Sequence, residues 1–410
     1  MTTRLELREY APLDCELAPD QLDRLLQLAP ALELSIEPLA KDGRGFRLTA
    51  GGTVGALEIG DLSIRIEPKI GIPQLLAIAC YAVGLLKPQE QRPFDFEERR
   101  SLPDALALAL AAAARRAFSQ GLLHGYRTEE QALQTVRGQI RLTEQLRRRF
   151  AAGLPVEVRF DDFTDDILEN QLVRAAVGRL GAMRLRSRQA RRELGWVAAT
   201  LEQVSAVEFG PRDVPDIRFD RLNEHYRAVV GLARLVLRHG AFESGRGSIR
   251  ASGFLIDMNR LFQEFLTVAL REALGGSERT FPGDRDIPEI WLAEGERLRL
   301  KPDLSWWNGR SCTFVGDAKY KKLNDSSAPT ADLYQLLAYA TALDLPGGLL
   351  VYAEGEAEPA SFQVRHADRR LEVMALDLSG TLEAVLGRVD RVAEQVRRLR
   401  DEALRERRAA

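Results

Sequence analysis

A chain of 410 residues is longer than one hydrophobic core ordinarily supports, so two or three domains are expected. Apolar content of 45% beside 29% charged residues is that of an ordinary soluble protein and excludes a membrane or disordered class. The formal net charge of −2 excludes a globally basic surface, so any nucleic-acid contact must be local. Cys15, Cys80 and Cys312 are odd in number and far apart, which argues against a disulfide framework or a zinc knuckle. Met1 to Tyr10 is charged where a signal peptide needs an apolar run, and no apolar stretch approaches membrane-spanning length. A cytoplasmic location without membrane contact is expected.

From Leu5 to Ile70 the pattern is largely strand-like, apart from a short helix over Pro19 to Leu28 that Asp20 helps begin. Val54 to Ile59 leads through Gly60-Asp61 to Leu62, Ile64 and Ile66 alternating with Ser63, Arg65 and Glu67, the pattern of a half-buried antiparallel hairpin. The glycine-rich stretch from Asp42 to Gly52 lacks a Gly-Lys-Ser/Thr ending and a following helix, so it reads as turns. No Walker-type motif occurs elsewhere, and no nucleotide is expected on this chain alone. Ile72 to Leu86 reads as a buried helix and Gln89 to Arg100 as a connection. The Ala/Leu run Ala105 to Ala114 behind Pro103-Asp104 reads as a helix that Arg115 and Arg116 end short of a bilayer span.

Gln131 to His239 reads as mainly helical. Within it, Asp161, Asp162, Asp165 and Asp166 invite a metal reading, but helix N-termini also collect acids because the macrodipole favours them there. Arg147 to Arg149 and Arg184, Arg186, Arg188, Arg191 and Arg192 read as solvated helix faces, with phosphate contact as the alternative. Ser244 to Arg250 is either a linker or a DNA contact made by Arg246 and Arg250.

The richest stretch follows. Arg297 to Trp306 is rich in strand formers, Asn308-Gly309 is a strong hairpin signal, and Ser311 to Tyr320 supplies a returning strand. Strand alternation puts Asp317 and Lys319 on one face, and pairing brings Asp303 to them. Two carboxylates can hold a hard cation such as Mg²⁺, which lowers the pKa of a bound water, while the ammonium orients that water or stabilises the transition state. Alone, Asp-x-Lys reads as a surface ion pair; Gln335 and Tyr339, four apart and so on one helix face, add to it. Gly347 to Tyr352 and Leu371 to Leu376 read as further strands. Leu382, Val385, Val389, Val392, Val396 and Leu399 form a short apolar seam suited to packing within the chain, with dimerisation or partner docking as the alternative.

Pro302-Asp303 followed by Asp317-Ala318-Lys319 resembles the PD-(D/E)XK nuclease core, and Gln335 with Tyr339 resembles the Gln-x-x-x-Tyr element of its RecB-like branch. Leu255 to Phe262, Lys301-Pro302-Asp303, Asp317 to Lys321, Ile64 to Ile70, Arg137 to Ile140 and Phe160 to Asn170 extend the resemblance to the McrC family, the nuclease subunits of McrBC-type modified-cytosine restriction systems. The resemblance implies a multidomain α+β protein: a partner-contacting β-rich module with helices over 1–125, a mainly helical middle over 126–243, and a PD-(D/E)XK domain over 244–410. It implies Mg²⁺-dependent cleavage (Mn²⁺ as a substitute) of double-stranded DNA with modified cytosine, alongside a hexameric McrB-type AAA+ GTPase that this subunit stimulates. The implied catalytic residues are Asp303, Asp317, Lys319, Gln335 and Tyr339; the metal ligands Asp303, Asp317 and Glu264; the DNA contacts Arg246, Arg250 and Lys321.

One departure stands out. The family places Glu directly after the Leu-Phe pair, whereas Leu261-Phe262 is followed here by Gln263 and then Glu264. Neighbouring helix positions point about 100° apart, so whether Gln263 or Glu264 serves the metal stays open. Two alternatives remain: a nuclease of the same fold in DNA repair or another defence system, and a catalytically silent assembly subunit.

Overall fold

The computed structural model describes residues 3–30, 32–39, 45–84, 102–149, 154–183, 185–211, 213–239, 242–244, 251–283, 286–322, 330–354 and 359–409. The chain is a multidomain α+β protein with two compact units, one formed by 1–99 with 242–410 and the other by 100–241. This differs from the expected succession of 1–125, 126–243 and 244–410, because the amino-terminal strands and the carboxy-terminal part build one unit together. Among the described residues no helix is long and apolar enough to cross a membrane.

The first unit begins with β1 (Thr3–Arg8), β2 (Pro12–Glu16), α1 (Pro19–Leu28), β3 (Leu34–Pro38), β4 (Gly45–Ala50), β5 (Thr53–Ile59), β6 (Leu62–Glu67) and α2 (Ile72–Ala82). The alternation read at Leu62, Ile64 and Ile66 is realised: all three are buried, and β6 lies between β5 (antiparallel) and β1 (parallel). Strands β2, β4 and β3 form a separate small sheet.

The middle unit holds α3 (Leu102–Ala117), β7 (Gly125–Leu133), β8 (Gln139–Ile140), α4 (Leu142–Arg149), β9 (Val156–Thr164), α5 (Leu168–Gly181), α6 (Arg188–Thr200) and α7 (Arg227–His239). It is less helical than expected up to Thr164, where a three-stranded sheet ordered β7-β9-β8 stands. The acidic run divides accordingly. Asp161 and Asp162 sit on strand β9, accepting from Thr128 Oγ1 at 2.7 Å and pairing with Arg137 at 2.6 Å. Asp166 lies at the turn before α5, where it accepts from Ser205 N–H at 2.8 Å and Gln171 Nε2 at 2.9 Å and pairs with Arg127.

The chain then returns to the first unit with β10 (Phe242–Ser244), β11 (Ala251–Asp257), α8 (Met258–Ala273), β12 (Ile290–Ala293), β13 (Arg297–Leu300), β14 (Leu304–Asn308), β15 (Ser311–Lys322), α9 (Thr330–Ala342), β16 (Gly347–Glu354), β17 (Ala360–Val364), β18 (Arg369–Ala375) and α10 (Leu382–Ala409). Strand β11 completes the amino-terminal sheet, ordered β1-β6-β5-β11-β10. Gly55, at φ +138°, makes that pairing possible, since a Cβ there would collide with the Phe254 carbonyl. Asp257 caps α8 by accepting from Asn259 N–H (2.9 Å) and Arg260 N–H (3.1 Å).

A second sheet, ordered β14-β15-β16-β18-β17, carries β15, β16 and β18 in parallel with antiparallel β14 and β17 at its edges. Helix α9 covers it, burying Leu336, Tyr339 and Ala340 against Val315, Leu350, Tyr352 and Val373. Helix α10 packs within this unit, with Val385, Val389, Val392, Val396 and Leu399 buried, as the seam predicts for packing inside the chain. The stretch expected as one strand from Arg297 to Trp306 is broken. β13 pairs with β12 and β14 with β15, and the interruption falls on Lys301-Pro302-Asp303, where proline has no N–H to give to a ladder.

Candidate active site

Strand β14 reaches β15 through the tight turn Gly309-Arg310, with Gly309 at φ +62°, a conformation glycine adopts without strain. The antiparallel register sets Leu304 opposite Gly316, which carries Asp303 to Asp317. The two are laced together. The Asp303 N–H points at Asp317 Oδ1 across 3.4 Å, and Asp303 Oδ2 accepts from the Ala318 N–H at 3.0 Å. Asp317 is almost wholly buried, and its Oδ2 accepts no hydrogen bond although the Lys319 ammonium lies against it.

Electrostatics follow from that burial. Loss of solvent and the nearby Asp317 carboxylate push the Asp303 carboxyl well above the usual carboxylate range, against the pull of the Ala318 N–H and Lys319. Burial works against the Lys319 charge, but Asp317 outweighs it and holds the ammonium above its ordinary range.

Helix α9 supplies the other wall. Lys319 Nζ donates to Gln335 Oε1 at 2.9 Å, Gln335 Nε2 donates to Tyr339 Oη at 2.6 Å, and Tyr339 Oη donates to the Lys301 carbonyl at 3.0 Å. The four-residue spacing thus yields one chain of hydrogen bonds from the β15 ammonium to the backbone beside Asp303. The structure brings Asp303, Asp317, Lys319, Gln335 and Tyr339 together.

Other expected residues are placed differently. Glu264 pairs with Arg260 along α8 at 3.1 Å. Phe262 meets the Tyr320 ring at 6.0 Å, so α8 packs on the face of β15 opposite Asp317 and Lys319. Among the described residues no three His, Cys, Asp or Glu side chains cluster as a metal site, so the expected trio with Glu264 is not assembled. Lys321 pairs with Asp332 at 2.7 Å, its side chain still partly exposed. Arg246 and Arg250 lie outside the described residues, as does Arg184.

Sequence reasoning assigned no role to Asp332. This buried carboxylate of the first turn of α9 also accepts from Tyr352 Oη. Its signal was spacing, since a residue three before Gln335 shares its helix face.

The donor set suits a hard divalent cation: the buried Asp317 and half-buried Asp303 carboxylates lie side by side, Asp303 with raised proton affinity and Asp317 against the Lys319 ammonium. Fold and cluster together define a multidomain α+β protein with a close acid pair beside an ammonium. The chain belongs to the McrBC family, described as McrBC 5-methylcytosine restriction system component, which it matches over residues 48–353. No curated protein matches it. A chain of the refined half-complex from the tetradecameric assembly of Thermococcus gammatolerans McrB AAA+ hexamers with bound McrC is similar in fold. It has 18% identity and a TM-score of 0.54, with 96% of this chain and 100% of that one covered. A chain of the cryo-EM structure of the Thermococcus gammatolerans McrBC complex has 19% identity over 66% of this chain and 88% of its own, with a TM-score of 0.39.

Proposed function

We propose that this chain is the endonuclease subunit of a modification-dependent restriction system of the 5-methylcytosine type, hydrolysing DNA phosphodiester bonds with Mg²⁺ in complex with an AAA+ GTPase hexamer that it stimulates. The observation that carries the reading is the single network from Asp303 and Asp317 through Lys319 and Gln335 to Tyr339. A PD-(D/E)XK assignment is supported by the order of parts: Asp303 before β14, Asp317 and Lys319 on β15, and the Gln-Tyr face on the next helix. Family membership supports the restriction role. The fold shared with a chain solved among McrB AAA+ hexamers with bound McrC supports the partner.

Asp303 and Asp317 would hold the metal, which when bound neutralises phosphate charge and acidifies an attacking water. Lys319, kept charged by Asp317, stabilises negative charge developing on phosphorus. Gln335 takes one ammonium hydrogen and is itself oriented by Tyr339, so the Lys319 head group is held in place before substrate arrives.

One observation favours a second reading. With Glu264 tied to Arg260 and no third acid at the pair among the described residues, a silent nuclease fold that only activates its partner is the rival. The deciding experiment is cleavage of methylated and unmethylated plasmid in Mg²⁺ by wild type and Asp317→Ala, each with and without the GTPase and GTP. Cutting of methylated DNA alone, dependent on GTP and lost in the variant while GTP hydrolysis stays stimulated, supports the nuclease subunit. Stimulated hydrolysis without any cutting supports the rival, and cutting regardless of methylation points to a repair or other defence nuclease.

A further inference from the structure

Strands β1 and β6 run parallel, so the residues that follow them, Glu9-Tyr10 and Pro68-Lys69, emerge at the same end of their sheet. Glu9 Oε2 accepts from the Lys69 N–H at 2.8 Å and from Tyr320 Oη at 3.3 Å. Tyr10 stands in the left-handed region at φ 55°, costly for a side chain of this size, and its hydroxyl donates to the Tyr320 carbonyl at 2.8 Å. The Lys69 ammonium, buried and without a hydrogen bond, lies 4.2 Å from the Tyr320 ring centroid and 3.2 Å from Glu354 Oε2. Apart from the bond between Glu9 and the Lys69 N–H, these contacts converge on the residue after Lys319 and on the last residue of the neighbouring strand β16.

The ladder explains why they matter. β15 and β16 pair residue for residue from Gly316–Leu349 to Lys319–Tyr352, and pairing resumes at Lys322–Glu354. Tyr320 and Lys321 therefore stand opposite Ala353 alone, a bulge directly behind Lys319. At that bulge the Tyr320 carbonyl takes a hydrogen bond from Tyr10, a residue 310 positions away.

We propose that Tyr10 and Lys69 are positioning residues that latch the end of β15 and thereby set the Lys319 ammonium against Asp317 and Gln335. The inference rests on the nuclease reading above, and it assigns to the amino-terminal segment a task inside the site in addition to any partner contact.

The test compares wild type, Tyr10→Phe, Lys69→Met and Lys69→Arg as full chains with the partner GTPase. Arg24→Ala, which removes an exposed ion pair elsewhere in the same segment, serves as control. Steady-state cleavage in Mg²⁺ and amide exchange of the peptide spanning Asp317 to Lys322 without metal are both read. Tyr10→Phe and Lys69→Met should lower kcat about 10- to 100-fold, the scale of a small misplacement of a reacting group. KM should stay within about twofold and exchange should quicken, while Lys69→Arg recovers most of the rate and Arg24→Ala changes nothing. Wild-type exchange in both variants overturns the latch, as does faster exchange with an unchanged kcat. If wild type never cuts, the nuclease reading fails and the positioning role falls with it, whereas exchange still shows whether these residues hold the bulge.

Discussion

Glu9 offers a quantitative test of how the amino-terminal segment is built in. It is 6% exposed, and burial, opposed by the Lys69 N–H and ammonium and by Tyr320, pushes its carboxyl up to about 7 from an ordinary 4.5. Because the folded state keeps its proton where the unfolded state has lost it, stability falls as pH rises from 4.5 to about 7 and levels off above. At 1.36 kcal/mol for each pH unit, the interval of about 2.5 units gives a cost of about 3 kcal/mol. Glu9→Gln cannot ionise and escapes that cost. For a unit of roughly 270 residues, the unfolding entropy per residue converts that cost into a shift of about 5–6 °C. Thermal unfolding followed by tryptophan fluorescence suits the test, since Trp291, Trp306 and Trp307 lie in this unit and only Trp196 in the other. The melting difference between Glu9→Gln and wild type should rise by about 5–6 °C from pH 4 to pH 8. A flat difference would refute the reasoning and mean that Glu9 ionises near its ordinary value.

Other expectations follow from the same contacts. Because the raised Asp303 carboxyl must shed its proton to hold a cation, Mg²⁺ affinity measured by calorimetry should climb across the neutral pH range, by up to about tenfold per unit, and an affinity flat from about pH 6 to 8 would contradict it. Tyr339→Phe removes the hydroxyl joining Gln335 to the Lys301 carbonyl; stability should fall by about 1 kcal/mol in a denaturant titration, with a larger proportional loss in cleavage rate. Leu336→Ala empties a fully buried position under α9 and should cost about 2–5 kcal/mol by the same assay. In the middle unit, half-buried Asp166 is held down to about 2 by Ser205, Gln171 and Arg127 despite its desolvation, so it stabilises above its ordinary 3.8 and loses that contribution as pH falls through about 2. Asp166→Ala should destabilise this unit by about 2 kcal/mol near pH 7, read by Trp196 fluorescence, and far less at the acid limit.

What the sequence displayed and what it hid divide by the range of the forces involved. The α1 boundaries, the β5–β6 hairpin and the Gln335–Tyr339 face rest on neighbours within a few residues, and each is found where periodicity and turn chemistry place it. Strand β7 defeats that reading because Gly125 to Leu133 carries Arg, Thr, Glu and Gln with no apolar alternation; its partner β9 makes it a strand. The break at Lys301-Pro302-Asp303 was signalled by its proline, yet the strand formers on either side outweighed it in the local pattern. Least legible were the contacts of Tyr10 and Lys69, whose partners Tyr320 and Glu354 have no local signature. The carboxylates and ammonium of the site sit within a single hairpin and could be read as a motif. Their alignment depends on a bulge held from the other end of the chain, so a segment carrying only the motif would keep the chemical groups without the geometry that makes them act together.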